Sequence, residues 1–254
     1  MKTYDIIIVT VNNNKYLFEC IDAIRFSEKN YPTEANVNVT IVANGCSLSN
    51  RQNIYEWLNN THAKNANNLK ISVIENELMA SFSAANNIGI KATNGEYVCI
   101  LNDDTLVSNY DPIQGINWLD LFARTINNNI ACVGPVGAIL DINAENKIVY
   151  NMDGTNNGKA VDYIALCCAM VKRELFHEIG YLDEGFRWAL WEDVDFGVRI
   201  QKAGYVNKIM AYGGFYHYGH ATIGKMDNED KRKAFYANRG YFLYKHRDWL
   251  EANK

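Results

Sequence analysis

Glu96-Tyr97-Val98-Cys99-Ile100-Leu101-Asn102-Asp103-Asp104-Thr105 is the stretch on which the fold turns. After Glu96, its next five residues make an apolar run of strand length without polar alternation, which is how a strand buried on both faces reads. The run ends in Asn102-Asp103-Asp104. In open α/β sheets, ligands collect at the carboxyl ends of the strands. Two carboxylates on a tight turn behind a rigid strand suit a hard divalent cation, Mg²⁺ or Mn²⁺, that shares its shell with substrate phosphates. The competing reading is that the acidic pair caps the next segment and faces water.

Working outward, short β-branched runs alternate with helical spacings, the signature of a parallel sheet with crossover helices. Strands are expected at Asp5–Val11, Val37–Ala43 and Lys70–Ile74, and helices at Lys15–Phe26, Asn53–Asn60 and Ser83–Ala92. The rhythm then changes. Trp118–Thr125 reads as a helix, Ile130–Val136 as a short strand, and Ala138–Gly158 as an irregular polar stretch with a hairpin. Tyr163–Lys172 is strand-like and Arg173–Ile179 a helical turn or two, followed by a helix at Trp191–Ala203 and a strand at Val206–Ala211. Asn228–Trp249 is one long helical pattern rich in Lys, Arg and Tyr. No repeat, linker or low-complexity tract divides the chain. The expectation is a single α/β domain over 1–254, a Rossmann-like, mostly parallel sheet flanked by helices, with a nucleotide-binding half at 1–105 and an acceptor half at 106–254.

The 254 residues can build one core of this size. Hydrophobic residues make up 48% and charged residues 21%, an ordinary globular balance. A formal charge of −4 argues against a nucleic-acid partner, because phosphate backbones demand concentrated Lys and Arg. A pyrophosphate can still bind where a cation and a few local basic groups supply positive charge. The six cysteines show no CxxC or Cys/His metal spacing and read as buried free thiols of a reducing compartment. The run Ile6-Ile7-Ile8-Val9 is too short for a signal peptide, and no apolar stretch reaches the ~18 residues of a membrane span. These features point to a cytoplasmic protein and leave room for peripheral membrane contact, with oligomeric state open.

Two further clusters carry chemistry. Trp191-Glu192-Asp193-Val194-Asp195 opens a helix with three carboxylates. Acidic residues suit a helix N-terminus electrostatically, yet three are more than a cap needs. Glu192 or Asp193 could deprotonate a hydroxyl, with apolar walls raising its pKa. Asp195 and Arg199, at i and i+4, should pair structurally. The other cluster is Tyr216-His217-Tyr218-Gly219-His220, with Lys225 beyond. Imidazole can complete the shell of a metal held mainly by carboxylates. Tyr and Trp around Trp188, Trp191, Tyr216 and Tyr218 fit a stacking platform for a sugar and equally fit core packing.

These clusters, in this order, resemble family 2 of the inverting GT-A glycosyltransferases, over most of the chain from Ile6 to about Lys245. Ile7-Ile8-Val9-Thr10-Val11-Asn12-Asn13 is similar to the family's opening strand and nucleoside-contacting end. Ile41-Val42-Ala43-Asn44-Gly45-Cys46-Ser47 looks like its second strand. Ala84-Ala85-Asn86-Asn87-Ile88-Gly89-Ile90 with Asn94-Gly95-Glu96-Tyr97 looks like its Ala-Asn-Asn…Gly-Glu-Tyr segment. Leu101–Thr105 matches the Asp-x-Asp-type metal motif. Cys168-Ala169-Met170 through Arg173, with Gly180–Phe186, matches the acceptor-side signature. The resemblance implies a nucleoside-diphosphate sugar donor carrying UDP, dTDP or GDP, a divalent metal (Mn²⁺ or Mg²⁺) and a glycan acceptor. Asp104 would be the principal metal carboxylate, with Asp103 beside it on the donor and His217 closing the shell. Thr10, Val11, Asn12, Asn44, Asn86 and Asn87 would contact the nucleotide sugar. Asp193 would be the base of a single inverting displacement, with Glu192 as fallback. Lys225, Lys231, Arg232 and Arg239 could close over the diphosphate.

The chain departs from the family at three places. Ala43 stands where many members carry an Asp that reads the base, which shifts base contact toward Asn44. Asn102 replaces the first Asp of the metal motif, a variant that looks like a subgroup resembling rhamnosyltransferases, and Asn86 stands where others carry Arg. The Gln-x-x-Arg-Trp motif and membrane helices of processive synthases are missing, which favours single addition. Two rivals remain: a catalytically silent sugar- or nucleotide-binding module, motivated by Ala43 and Asn102, and a nucleotidyltransferase. The latter usually opens with a Gly-rich phosphate loop where Val11-Asn12-Asn13-Asn14-Lys15 stands here.

Overall fold

The computed structural model describes residues 2–61, 66–107, 115–140, 158–210, 214–219 and 227–252. The elements in chain order are β1 (Thr3–Thr10), α1 (Asn14–Asn30), β2 (Asn36–Asn44), α2 (Leu48–Thr61), β3 (Leu69–Asn76), α3 (Phe82–Lys91), β4 (Tyr97–Asn102), β5 (Thr105–Val107) and α4 (Trp118–Thr125). There follow β6 (Ile130–Gly134), β7 (Gly137–Ala138), β8 (Ala160–Val161), β9 (Tyr163–Ile164), β10 (Cys168–Lys172), α5 (Glu174–Ile179) and α6 (Glu192–Lys202). The chain ends with β11 (Val206–Ile209), β12 (Phe215–His217), α7 (Asn228–Lys245) and α8 (Arg247–Ala252).

One eight-stranded sheet runs β3-β2-β1-β4-β10-β6-β11-β8. Strands β3, β2, β1 and β4 are mutually parallel, and β10 inserts antiparallel between β4 and β6. β1 explains why the parallel half is so apolar. Ile6 and Ile8 enter one core with Leu17, Ile21 and Ile24 of α1 and with Trp118 and Phe122 of α4. Ile7 points the other way, into a second core with Ala85 and Ile90 of α3 and Phe196 of α6. Both faces are covered, so neither can be polar. α3 lies close on the sheet because Gly89 has no side chain: a Cβ there would sit 2.5 Å from Ile7 Cγ2. A third core joins Trp191, Val194 and Val198 to Phe242 and Leu250 of the C-terminal helices.

The far, amino-end edge of the sheet is pinned by a buried ion pair. Arg173 Nη2 donates to Asp5 Oδ2 at 2.8 Å, and its other nitrogens donate to the carbonyls of Gly95 and Ile90. Asn38 supplies another hydrogen bond to Asp5. Asp5 is fully buried and Arg173 half-buried, and both are satisfied, the condition under which such a pair is tolerated. Arg173, part of the acceptor-side resemblance, thus works at the end of the sheet opposite the acidic turn.

Two of the expected elements are broken up in the structure. Tyr163–Lys172 is not one strand: Cys167 turns out of line, and its carbonyl accepts from Asn102 N at 3.0 Å and Thr105 Oγ1 at 3.2 Å. The C-terminal pattern is two helices, α7 and α8, meeting at His246. The expected hairpin in 138–158 lies almost wholly outside the described residues, as do His220 and Lys225. All six cysteines are free and buried. Among the described residues no helix is long and apolar enough to cross a membrane.

Candidate active site

The in-register pairing Thr10↔Ala43 and Val9↔Asn102 brings the carboxyl ends of β1, β2 and β4 level with one another. Above them opens a cavity of about 900 Å³, walled mostly by apolar side chains. Its lining joins Val9, Val11 and Asn44 to Asn102, Asp103 and Asp104, and these to Glu192, Asp193, Tyr216 and His217. Residues far apart in the chain, and from both expected halves, therefore meet at one opening.

A two-stranded ribbon explains how His217 arrives. β12 pairs antiparallel with β5 in the register His217↔Thr105, and Tyr218 N donates to Asp104 O at 3.0 Å. His217 Nε2 then lies 3.0 Å from Asp104 Oδ1. Burial alone would lower the imidazole pKa, but the hydrogen bonds to Asp104 and Cys167 and the negative charge of Asp104 outweigh it and raise the pKa to about 10. Asp103 and Asp104 are each only 4% exposed. Once a divalent cation displaces the imidazole proton, this carboxylate oxygen and imidazole nitrogen could hold it together. Among the described residues no third His, Cys, Asp or Glu joins them in a metal-sized group.

The second pair of carboxylates stands at the start of α6. Glu192 is 6% exposed, and its Oε2 makes no hydrogen bond among the described residues. Desolvation, followed by the charge of Asp193, raises its pKa to about 8. Asp193 is more open and accepts a hydrogen bond from Val194 N at 2.8 Å. Desolvation raises it to about 6. Both carboxyls are therefore pushed toward their neutral forms, Glu192 further than Asp193. Asp195 is different. Burial opposes its charge, but His246, Arg199 and Lys245 surround it and hold it at about 2. The Arg199 Nε–Asp195 Oδ2 contact is 2.8 Å, so the expected i, i+4 pair is present.

The segment entering α6 is strained. Trp188, Leu190 and Trp191 have φ of 62°, 84° and 76°, in the left-handed region although none is glycine. Such residues cost roughly 1–2 kcal/mol each and persist where the surroundings over-determine them, commonly at functional sites. Trp191 is 5% exposed and packs edge-on to Phe235 and tilted against Phe242, so its ring belongs to the core. Trp188 and Tyr216 are 54% and 56% exposed and line the cavity, which leaves them able to stack on a ligand.

Of the expected nucleotide contacts, Val11, Asn44 and Asp103 line the cavity. The Asn44 amide is already occupied: Nδ2 donates to Ala80 O, and Oδ1 accepts from Ala80 N and Asn76 Nδ2. It holds the β3–α3 loop, whose Met79 and Ala80 form part of the wall. Thr10 is buried just beneath the opening. Asn12, at φ 51°, accepts from Ser47 N at 2.9 Å and ties the first two loops together. Asn86 and Asn87 sit behind the wall in α3. Asn86 Nδ2 donates to Phe82 O, while Asn87 bonds Leu182 through both its amide atoms and Glu184 through Nδ2. Lys231 reaches the cavity, whereas Arg232 is exposed. Sequence reasoning missed Met79, Phe82, Leu190 and Phe235 as lining residues, since each looks like ordinary core.

A parallel four-strand half, an antiparallel strand laid against its acidic edge and a cavity over the strand ends together define the GT-A fold. The chain belongs to glycosyl transferase family 2, whose family model matches residues 5–180. A curated relative, the uncharacterized protein y4gI of Sinorhizobium fredii (strain NBRC 101917 / NGR234), is 25% identical over 225 residues, covering 79% of this chain and 23% of that protein. Among solved structures, GalNAc-T7 with UDP, GalNAc and Mn²⁺ superposes with a TM-score of 0.68 at 15% identity, over 96% of this chain and 48% of that one. The mannosyltransferase PcManGT of Pyrobaculum calidifontis, with GDP-Man and Mn²⁺, gives 0.59 at 18%, over 82% and 54%. S. aureus TarS 1-349 with UDP-GlcNAc gives 0.54 at 17%, over 92% and 64%. The chain thus spans about a quarter of the curated relative and between 48% and 64% of these structures.

Proposed function

We propose that this chain transfers one sugar from a nucleoside-diphosphate sugar to an acceptor hydroxyl, with a divalent cation and with inversion at the anomeric carbon. The observation that carries the reading is the meeting of two functional pairs in one cavity, Asp104 with His217 and Glu192 with Asp193. Family membership and the nucleotide-sugar and Mn²⁺ complexes of similarly folded proteins support it.

Asp104 and His217 would hold the cation, which supplies charge neutralisation for the departing diphosphate. Asp103 stands beside them toward the donor. Asp193 is the base: as the acceptor oxygen forms its bond to the anomeric carbon, the carboxylate takes the hydroxyl proton. The bond from that carbon to the diphosphate oxygen breaks, and the electron pair leaves with the nucleotide. Glu192, neutral at the working pH, gives or accepts a hydrogen bond without competing for that proton. The apolar walls exclude water, which favours transfer over hydrolysis.

The test is incubation with UDP-, dTDP- and GDP-sugars and a panel of glycan and lipid-linked acceptors, with Mn²⁺ or chelator. Product whose anomeric configuration is opposite to the donor's, formed only with metal, is the expected result. Retained configuration would overturn the single-displacement scheme. One observation favours a second reading, a module that binds nucleotide sugar without turnover. With Ala43 at the end of β2 and the Asn44 amide occupied, that strand offers the base no free polar side chain. Tight metal-dependent nucleotide binding with no turnover on any acceptor would select it.

A further inference from the structure

The strained turn ahead of α6 has a holder on another element. Asn238, on α7, is 1% exposed. Its Oδ1 accepts from Arg187 N at 3.0 Å, and its Nδ2 donates to the carbonyls of Arg187 at 2.9 Å, Ala189 at 3.0 Å and Leu190 at 2.9 Å. These are the residues among which Trp188, Leu190 and Trp191 take left-handed backbone. On the other side, Phe82 N donates to Trp188 O at 2.6 Å, tying the turn to the start of α3 across the cavity. α7 is itself anchored to α6, because His246 Nε2 lies 2.8 Å from Asp195 Oδ1 and Lys245 pairs with the same carboxylate. The turn is thus fixed from two sides, and α6 begins with Glu192 immediately after it.

We propose that Asn238 is a positioning residue whose hydrogen bonds to the 187–190 backbone hold the left-handed turn and so aim Glu192 and Asp193 into the cavity. Only an amide fits this place. It presents an acceptor and two N–H donors at once, and the turn's N–H and carbonyl groups use both. A carboxylate of the same shape would keep the acceptor and lose the donors. Both the turn and α7 lie beyond residue 180, where the family match ends. The catalytic consequence rests on the proposed role of Asp193, whereas the clamp itself does not.

The experiment compares Asn238→Ser and Asn238→Asp with the parent by hydrogen exchange, nucleotide binding and turnover. Backbone amides of 187–191 should exchange at least about tenfold faster in the variants while β1 and β2 keep their protection. Turnover should fall roughly tenfold to a hundredfold, as a misaimed base requires, with the Kd for nucleoside diphosphate and Mn²⁺ changed less than about threefold. Leu190→Gly supplies the rescue, because glycine adopts φ of 84° without strain. In that background Asn238→Ser should cost several-fold less turnover than in the parent. Unchanged exchange at 187–191 would overturn the clamp. Parental turnover in a folded Asn238→Asp, or equal losses with and without Leu190→Gly, would overturn the positioning role. Should the parent itself transfer no sugar, the functional reading falls, and the exchange result still decides the clamp.

Discussion

Glu192→Gln should make the protein more stable at neutral and alkaline pH while leaving it unchanged at acid pH. In the native state desolvation and the neighbouring charge of Asp193 raise the Glu192 pKa from 4.5 to about 8. A carboxyl raised in this way contributes fully below its unfolded pKa and loses that contribution as pH rises through the folded one. Each pH unit between 4.5 and 8 is worth about 1.4 kcal/mol, so by pH 7 the native state has forgone on the order of 3 kcal/mol. Glutamine has the shape of the neutral acid and never ionises, so the variant escapes this loss. For a chain of 254 residues that gain corresponds to roughly 6–12 °C in Tm at pH 7, tending to zero near pH 4.5. The assay is a thermal melt of both proteins at half-unit steps from pH 4.5 to 8.5. Parallel curves, with a constant difference across that range, would refute the reasoning, because they would mean that Glu192 ionises as easily folded as unfolded. Turnover in Glu192→Gln should fall by no more than about tenfold, since a neutral hydrogen-bonding group is retained.

Asp193→Asn should abolish transfer while nucleotide binding stays near parental, and turnover in the parent should decline as pH falls through about 6, where Asp193 takes up its proton. A kcat profile flat to pH 5, or substantial transfer by the variant, would remove Asp193 from the base role. Asp195, held at about 2 against an ordinary 3.8 by His246, Arg199 and Lys245 despite its burial, stabilises the fold above about pH 4 and ceases to as pH falls toward 2. The urea-derived stability gap between parent and Asp195→Asn should therefore narrow by about 2 kcal/mol between pH 5 and pH 2.5, and a constant gap would contradict the assignment. Gly89→Ala places a Cβ 2.5 Å from Ile7 Cγ2 and should cost about 1–3 kcal/mol by overpacking, read as a lower urea midpoint.

The parallel half of the sheet was legible because strands covered on both faces leave an unbroken apolar run that nothing else in a domain of this size produces. The helix Trp118–Thr125 has the expected ends, its amino end fixed by Asn117, whose side chain accepts from Leu119 N. Tyr163–Lys172 misled because apolar composition does not reveal a turn whose carbonyl is satisfied by Asn102 and Thr105 from another strand. The acidic clusters and His217 stood out in the sequence as gathered carboxylates and imidazole, and the structure brings them to one cavity. The asparagines did not: an amide serves a nucleotide or a loop equally well, and Asn44 and Asn87 are committed to loops here. The left-handed turn at 188–191 left no mark at all. Glycine usually signals such backbone, and this turn is held instead by Asn238 from a distant helix.

The most direct test of the central claim is the thermal stability of the parent and of Asp104→Ala with UDP, dTDP and GDP, each with Mn²⁺ and with chelator. At ~100 times its Kd, a ligand that binds only the native state adds about 2.7 kcal/mol. One nucleoside diphosphate should raise the parent's Tm by several degrees with Mn²⁺ and not with chelator, and Asp104→Ala should lose that rise. A flat response to all three, or a rise that ignores both the metal and the substitution, would contradict a nucleotide site built on Asp104 and His217.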